Sequence, residues 1–189
     1  MTTNKRYQII YADPPWRYSC KNPPSKIEKQ PEKCSVEYYY KTMSLEEIKN
    51  LNVKEIAEKD SVLFLWSTTP MIQEALEVMK SWGFKYKTMI TWEKINKDCM
   101  GYYFKVCTEH LLVGVKGKIK SFRNMQRTLY SSKRGKHSQK PVFFRELINS
   151  IGFDKKIELF ARKENTLFED LSWKGWDVWG NEIKSDIKL

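Results

Sequence analysis

Short apolar runs alternate with helix-patterned stretches along this 189-residue chain, and that alternation restricts its fold more than any other feature. Strands joined through helical crossovers lie parallel, so the pattern predicts an α/β domain with a mostly parallel sheet and helices on both faces. The first run, Tyr7–Ala12, reads as a strand. Ser44-Leu45-Glu46-Glu47 has the capping-box pattern and opens a helix through Leu51, and Val53–Lys59 reads as a second short helix. Ser61–Trp66 is apolar enough for a strand buried on both faces. Met71–Trp82 places Ile72, Ala75, Leu76 and Met79 at helical spacing and stops at Gly83. Tyr86–Glu93 and His110–Lys116 are two more strands. Pro141–Ile151 is a helix with proline in its first turn, ended by Gly152. Lys156–Ala161 and Asp177–Trp179 close the series as strands. No repeat or boundary interrupts it, so residues 1–189 are expected to form one domain with a full core.

The first strand runs into Asp13-Pro14-Pro15-Trp16. A carboxylate at the C-terminal end of a strand lies where open α/β sheets place their ligands. Two prolines stiffen the backbone after it, because each fixes φ and neither has an N–H. The corner therefore combines one acid, free carbonyl acceptors and one large aromatic, a set suited to gripping a planar base by its amino group. Taken alone, the tetrapeptide suits an ordinary strand-ending turn equally well. The next stretch, Arg17–Glu37, is polar, holds three prolines and is too long for a simple connection. It is expected to be a functional loop or disordered, and it is the candidate for a lid or base-flipping element.

The net charge of +11 is unevenly spread. Lys116–Lys140 contains nine basic residues and no acidic one, with Phe122 and Tyr130 among them. Such a stripe is an electrostatic footprint for a polyanion. Lys120, Arg123, Arg127, Lys133, Arg134 and Lys136 are its candidate nucleic-acid contacts. No apolar run approaches the roughly 20 residues that a membrane span needs, and no signal peptide is visible before the first strand. Cys20, Cys34, Cys99 and Cys107, with only His110 and His137, match no zinc spacing, so no metal is expected. Reduced thiols in the cytoplasm are the expected state. With eight glycines and no GxGxxG or P-loop, an ordinary dinucleotide-binding protein or nucleotidase is disfavoured.

Three later clusters can join the acidic corner. His137-Ser138-Gln139-Lys140-Pro141 precedes a helix, where Lys140 can reach an anionic group. Glu158-Leu159-Phe160-Ala161-Arg162 is a strand end that carries Arg162 and Asn165 to the ligand-binding edge. In Gly175–Glu182, Trp176 and Trp179 belong to a core or a pocket rim, and Asn181 and Glu182 can hydrogen-bond a polar ligand. Each cluster by itself has a plain structural alternative: a helix start, a strand end, or core indoles.

In this order the clusters resemble a known family, the MT-A70 or DPPW-type adenine-N6 methyltransferases, in the manner of a prokaryotic or phage DNA-modifying member. The resemblance is carried by Ala12–Trp16, Tyr40–Ser44, Leu63–Trp66, Glu109–Gly114, His137–Pro141, Glu158–Arg162 and Trp176–Glu182. It implies a Rossmann-like methyltransferase fold with the catalytic motif ahead of the cofactor-binding motif, and S-adenosylmethionine as cofactor. It implies that Asp13 receives the target amino group and lies near the cofactor's amine, that the Pro14 carbonyl accepts the second amino hydrogen, and that Trp16 packs on the target base, with Pro15 stiffening the corner. Lys140 approaches the cofactor's methionine end or Asp13. Glu158, Phe160, Arg162, Asn165, Asn181 and Glu182 fall where the family holds the cofactor, the last four at its ribose and adenine. Glu164 and Glu182 depart from residues that relatives carry at those places.

DNA is the expected substrate, because the chain shows no zinc finger or other RNA-binding appendage. RNA methylation, and a catalytically silent nucleic-acid-binding partner subunit, stay open as alternatives. Retention of the full Asp13–Trp16 motif speaks against the silent one. With no separable recognition domain, target choice is expected to rest on loops, a second copy or a methyltransferase-like partner.

Overall fold

The computed structural model describes residues 5–18, 42–95, 103–120, 122, 126–135, 139–162 and 173–189. The apolar runs become strands β1 (Tyr7–Ala12), β2 (Ala57–Thr68), β3 (Lys85–Lys94), β4 (Thr108–Lys116), β5 (Leu129–Ser132), β6 (Lys156–Leu159) and β7 (Trp176–Trp179). The helical stretches become α1 (Leu45–Lys49), α2 (Val53–Ile56), α3 (Ile72–Ser81) and α4 (Val142–Asn149). All seven strands join one sheet in the order β5-β3-β4-β2-β1-β6-β7. Strands β2, β1, β6 and β7 are parallel neighbours, β4 is antiparallel to both β2 and β3, and β5 is parallel to β3. Six strands therefore point one way and β4 alone runs back. This is a Rossmann-like methyltransferase sheet.

Alternation across the pleat explains why the middle of the sheet reads as unbroken hydrophobic sequence. Ile10, Ala12, Leu63 and Leu65 pack with α1, α2 and α3 on one face, through Ile48, Val53, Ala75, Val78, Met79 and Trp82. Ile9, Tyr11, Val62, Phe64 and Trp66 pack on the other face with Phe144 and Ile148 of α4. Burial on both sides stabilises each such strand by about 1.5–3 kcal/mol per large side chain. Tyr7 joins the α1–α3 face although alternation from Ile9 would put it opposite. A bulge is the cause: the N–H groups of Gln8 and Ile9 both donate to the Lys155 carbonyl, and the register to β2 shifts there.

Strong local signals match the fold. Ser44 caps α1 with the full reciprocal box to Glu47. Gly83 comes after α3 at φ 84°, a conformation that costs glycine little. Two expectations need correction. The helix over Val53–Lys59 stops at Ile56, and Ala57–Lys59 already belong to β2, whose pairing with β1 and β4 outweighs local helix preference. Strand β5 is absent from the expected series: Leu129-Tyr130-Ser131-Ser132 has no apolar run, and its strand state comes from pairing with Thr91–Lys94 of β3.

Candidate active site at the C-terminal edge of the sheet

Strand β1 leads to β2 on one side and lies beside β6 on the other, so the C-terminal ends of β1 and β6 form the crevice where strand order reverses. Asp13 stands there, directly after Ala12. The corner is stiff for reasons beyond proline. The Trp16 N–H donates to the Pro14 carbonyl at 2.9 Å, and the Met43 N–H donates to the Pro15 carbonyl at 2.9 Å. Trp16 and Met43 form a parallel bridge. The Trp16 indole is only 4% exposed, and its Nε1–H donates to the Trp66 carbonyl at 3.1 Å. This departs from the role the family resemblance implies for Trp16. A ring so enclosed anchors the corner to β2 and leaves little face for a base. The Pro14 carbonyl keeps one lone pair after bonding Trp16, so it can still accept a second hydrogen.

Lys140, on the lead-in to α4, crosses to this corner. Its Nζ lies 2.7 Å from Asp13 Oδ2 and 3.2 Å from Glu109 Oε2. Glu109 Oε1 is in turn 2.7 Å from Lys94 Nζ. Lys140 Nζ also sits 5.2 Å from the centre of the Trp66 ring, a cation–π contact. Trp66 itself donates to the Tyr11 hydroxyl at 2.7 Å and stacks edge-on against Phe144. Burial pushes the Asp13 carboxyl up from its ordinary value, against the pull of Lys140. Burial would push Glu109 up as well, but the two ammoniums overcome it and hold it below its ordinary value. Burial would lower Lys140, but Asp13 and Glu109 overcome it and raise it far above the usual lysine range. Glu109 and Lys140 are therefore charged near neutrality.

The structure thus brings Asp13 and Lys140 together, as the sequence expects. Glu109, Lys94 and Trp66 carry no site role in the sequence reading. Their signal is legible in hindsight as charge interrupting apolar runs: Lys94 ends β3 and Glu109 begins β4, which is the same sheet edge because β4 runs back.

The cofactor candidates divide. Phe160, just past β6, has φ 63°, a strained conformation for a non-glycine residue, and its ring packs edge-on against Trp179. Ala161 N–H donates to the Trp179 carbonyl, and Gly180 lies so close that a Cβ there would meet the Ala161 oxygen at 2.2 Å. Only glycine lets the ends of β6 and β7 close this far. Arg162 comes next on the same edge and its charge reaches Asp13. Asn181 and Glu182 are exposed beside it. Glu158 points instead to the α4 face, where it accepts from Arg145 Nε at 3.1 Å and is buried. Alternation along β6 sends Ile157 and Leu159 to the opposite face, so Glu158 departs from the expected cofactor set. Asn165, Glu164 and His137 lie outside the described residues.

The basic stripe does not form one face. Lys116 and Lys118 lie at the opposite edge of the sheet, since Lys116 pairs with Ser61 at the start of β2 and the Lys118 N–H donates to Asp60 at 2.6 Å. Ile119 and Phe122 then pack under the α4 face. Lys120 and Arg127 are exposed on the way back to β5; among the described residues Lys133 and Arg134 follow β5 at the C-terminal edge, four strands from β1, and Lys140 ends the stripe against Asp13. Two aromatic residues share that edge: Tyr103 and Phe104, on the segment leading into β4, are 92% and 86% exposed. Arg123, Lys136 and the Arg17–Glu37 loop beyond Tyr18 lie outside the described residues.

Sheet and site together define a methyltransferase of the Rossmann-like class. The chain belongs to the MT-A70 family, whose model matches residues 7–182. It is 37% identical to the Type II methyltransferase M.MunI of Mycoplasma sp over 95% of this chain and 78% of that protein. It is 28% identical to the N(6)-adenosine-methyltransferase MT-A70-like of Arabidopsis thaliana, over 94% of this chain and 24% of the relative. With the human N(6)-adenosine-methyltransferase catalytic subunit METTL3 it shares 26% identity over 94% of this chain and 28% of that protein. Among the described residues no helix is long and apolar enough to cross a membrane.

Proposed function

We propose that this chain transfers the methyl group of S-adenosylmethionine to the N6 amino group of adenine in DNA. The observation that carries the reading is the rigid strand-end carboxylate Asp13, held by Lys140 inside the crevice where strand order reverses. The residues present fit that cofactor. Asp13 can take its ammonium, Lys140 its carboxylate, and Arg162, Asn181 and Glu182 its ribose and adenine, while Phe160 and Gly180 shape the floor. When bound, the cofactor supplies an electrophilic methyl group on a sulfonium.

An exocyclic adenine amine is a poor nucleophile, because its lone pair is delocalised into the ring. Asp13 and the free lone pair of the Pro14 carbonyl can each accept one amino hydrogen, which pyramidalises the nitrogen and aims its lone pair. The nitrogen would bond the methyl carbon as that carbon's bond to sulfur breaks, the electron pair leaving with sulfur as a neutral thioether, and the nitrogen would release one proton that Asp13 is placed to accept. No covalent enzyme intermediate is required, and orientation supplies most of the rate. A base inside a duplex cannot reach this corner, so the target is flipped out or single-stranded. Lys133 and Arg134 can meet phosphates, and Tyr103 and Phe104 offer rings on which bases can stack.

DNA is favoured because the Type II methyltransferase relative matches at 37% identity, against 28% and 26% for the N(6)-adenosine-methyltransferases of Arabidopsis thaliana and human. Such work is expected in the cytoplasm. Incubation with labelled cofactor and duplex DNA, single-stranded DNA or RNA tests the reading. Label is expected in adenine N6 of DNA and none with Asp13→Ala. Label only in RNA, or undiminished transfer by Asp13→Ala, would refute it.

A further inference from the structure

The charges at Asp13 do not end with Lys140. They continue as an alternating row: Asp13, then Lys140 at 2.7 Å, then Glu109 at 3.2 Å, then Lys94 at 2.7 Å. Each member comes from a different element: the end of β1, the lead-in to α4, the start of β4 and the end of β3. The two lysines lie over the Trp66 and Trp92 rings, which shield the row on one side. Both Glu109 oxygens face ammoniums, so Glu109 is built to hold lysines rather than substrate.

We propose that Glu109 and Lys94 are positioning residues that divide the charge of Lys140 between two carboxylates, and so keep Asp13 able to accept a proton from the substrate amine. The proposal rests on the reading of Asp13 as the group that receives the amine. An ammonium held by Asp13 alone would form a complete ion pair, and a fully paired carboxylate is a weak proton acceptor. Glu109 draws part of that ammonium away and adds a like charge of its own. Left unbalanced, Glu109 would be a second buried carboxylate facing the first, and Lys94 offsets it. Among the described residues, the charged and titratable groups facing Asp13 are Lys140 before α4, Glu109 on β4, Arg162 after β6 and Tyr11 on β1. Of these, Glu109 is a carboxylate that disfavours the charged form of Asp13.

Opposite signs make the test. The 13C carboxyl resonance of Asp13 in the full chain, assigned by its loss in Asp13→Asn, is tracked against pH without cofactor or substrate. Glu109→Gln should lower its midpoint by about one pH unit, since a like charge is removed. Lys94→Met should raise it by roughly half as much, because the lost cation is farther away. The double variant, with the row again neutral, should return toward the wild type. The acid limb of kcat/KM for methyl transfer should move in the same directions. Midpoints that stay fixed in both single variants, or that move the same way, would overturn the proposal, since general loosening of the site cannot reverse sign. Absence of methyl transfer by the wild type would refute the proposed function, while the carboxyl titration would still decide this one.

Discussion

Replacing Lys140 by methionine should destabilise the chain strongly near neutral pH and weakly in acid. Methionine keeps most of the apolar stem, so the loss is mainly the ammonium that separates Asp13 from Glu109. The Lys140 side chain is 12% exposed, Glu109 16% and Asp13 28%. Removing one partner from a buried pair costs about 3–5 kcal/mol, chiefly through the uncompensated charges left behind. Water reaches Asp13 in part, so the lower end applies here, about 3 kcal/mol. For a domain of this size that is a fall in Tm of roughly 6–12 °C.

The two carboxyls set the sign of the pH dependence. Glu109 is held below its ordinary value in the wild type, so its stabilising contribution is present above the unfolded value and is lost only as pH falls through the lower folded value. In the variant both carboxyls rise, Asp13 above the already raised wild-type level. They then destabilise when charged, and protonation relieves them as pH falls. The difference between the two proteins should shrink to about 1 kcal/mol near pH 4.5. Urea unfolding at pH 7 and pH 4.5, read by tryptophan fluorescence, measures both values. An equal difference at the two pH values, or less than about 1 kcal/mol at pH 7, would refute the electrostatic account.

Two further outcomes are expected. Gly180→Ala places a Cβ against the Ala161 oxygen, so it should cost about 1–3 kcal/mol and weaken S-adenosylmethionine binding by calorimetry; unchanged stability and affinity would show that the β6–β7 edge yields freely. Lys133→Ala with Arg134→Ala should flatten the slope of log affinity against log salt by about 2 for DNA, roughly one released counterion per phosphate contact, and an unchanged slope would remove these residues from the interface.

The basic stripe shows why linear charge patterns mislead. Lys116–Lys140 is one basic stripe in sequence, but β4 runs against its neighbours, so the stripe starts at the far edge and passes beneath α4. Among the described residues Lys133 and Arg134 return to the C-terminal edge, four strands away from β1, and Lys140 closes the stripe against Asp13 itself. The same reversal carries Glu109 to the active edge, although its place ahead of an apolar strand marks it merely as a strand start. Edge strand β5 was illegible for a related reason, since a four-residue strand of one leucine, one tyrosine and two serines draws its state from its partner.

The sequence by itself determined the strand–helix series, the two-sided burial of β2, the capped start of α1 and the stiff acid corner. These depend on short-range physics: side-chain periodicity, proline's fixed φ and capping by neighbouring residues. Tertiary structure alone decided the company that corner keeps. It closed Trp16 into the core, turned Glu158 toward Arg145, and set Lys140, Glu109 and Lys94 in a row beside Asp13. Those contacts join residues far apart in the chain, and they exist only because sheet order and one reversed strand deliver them to a single edge.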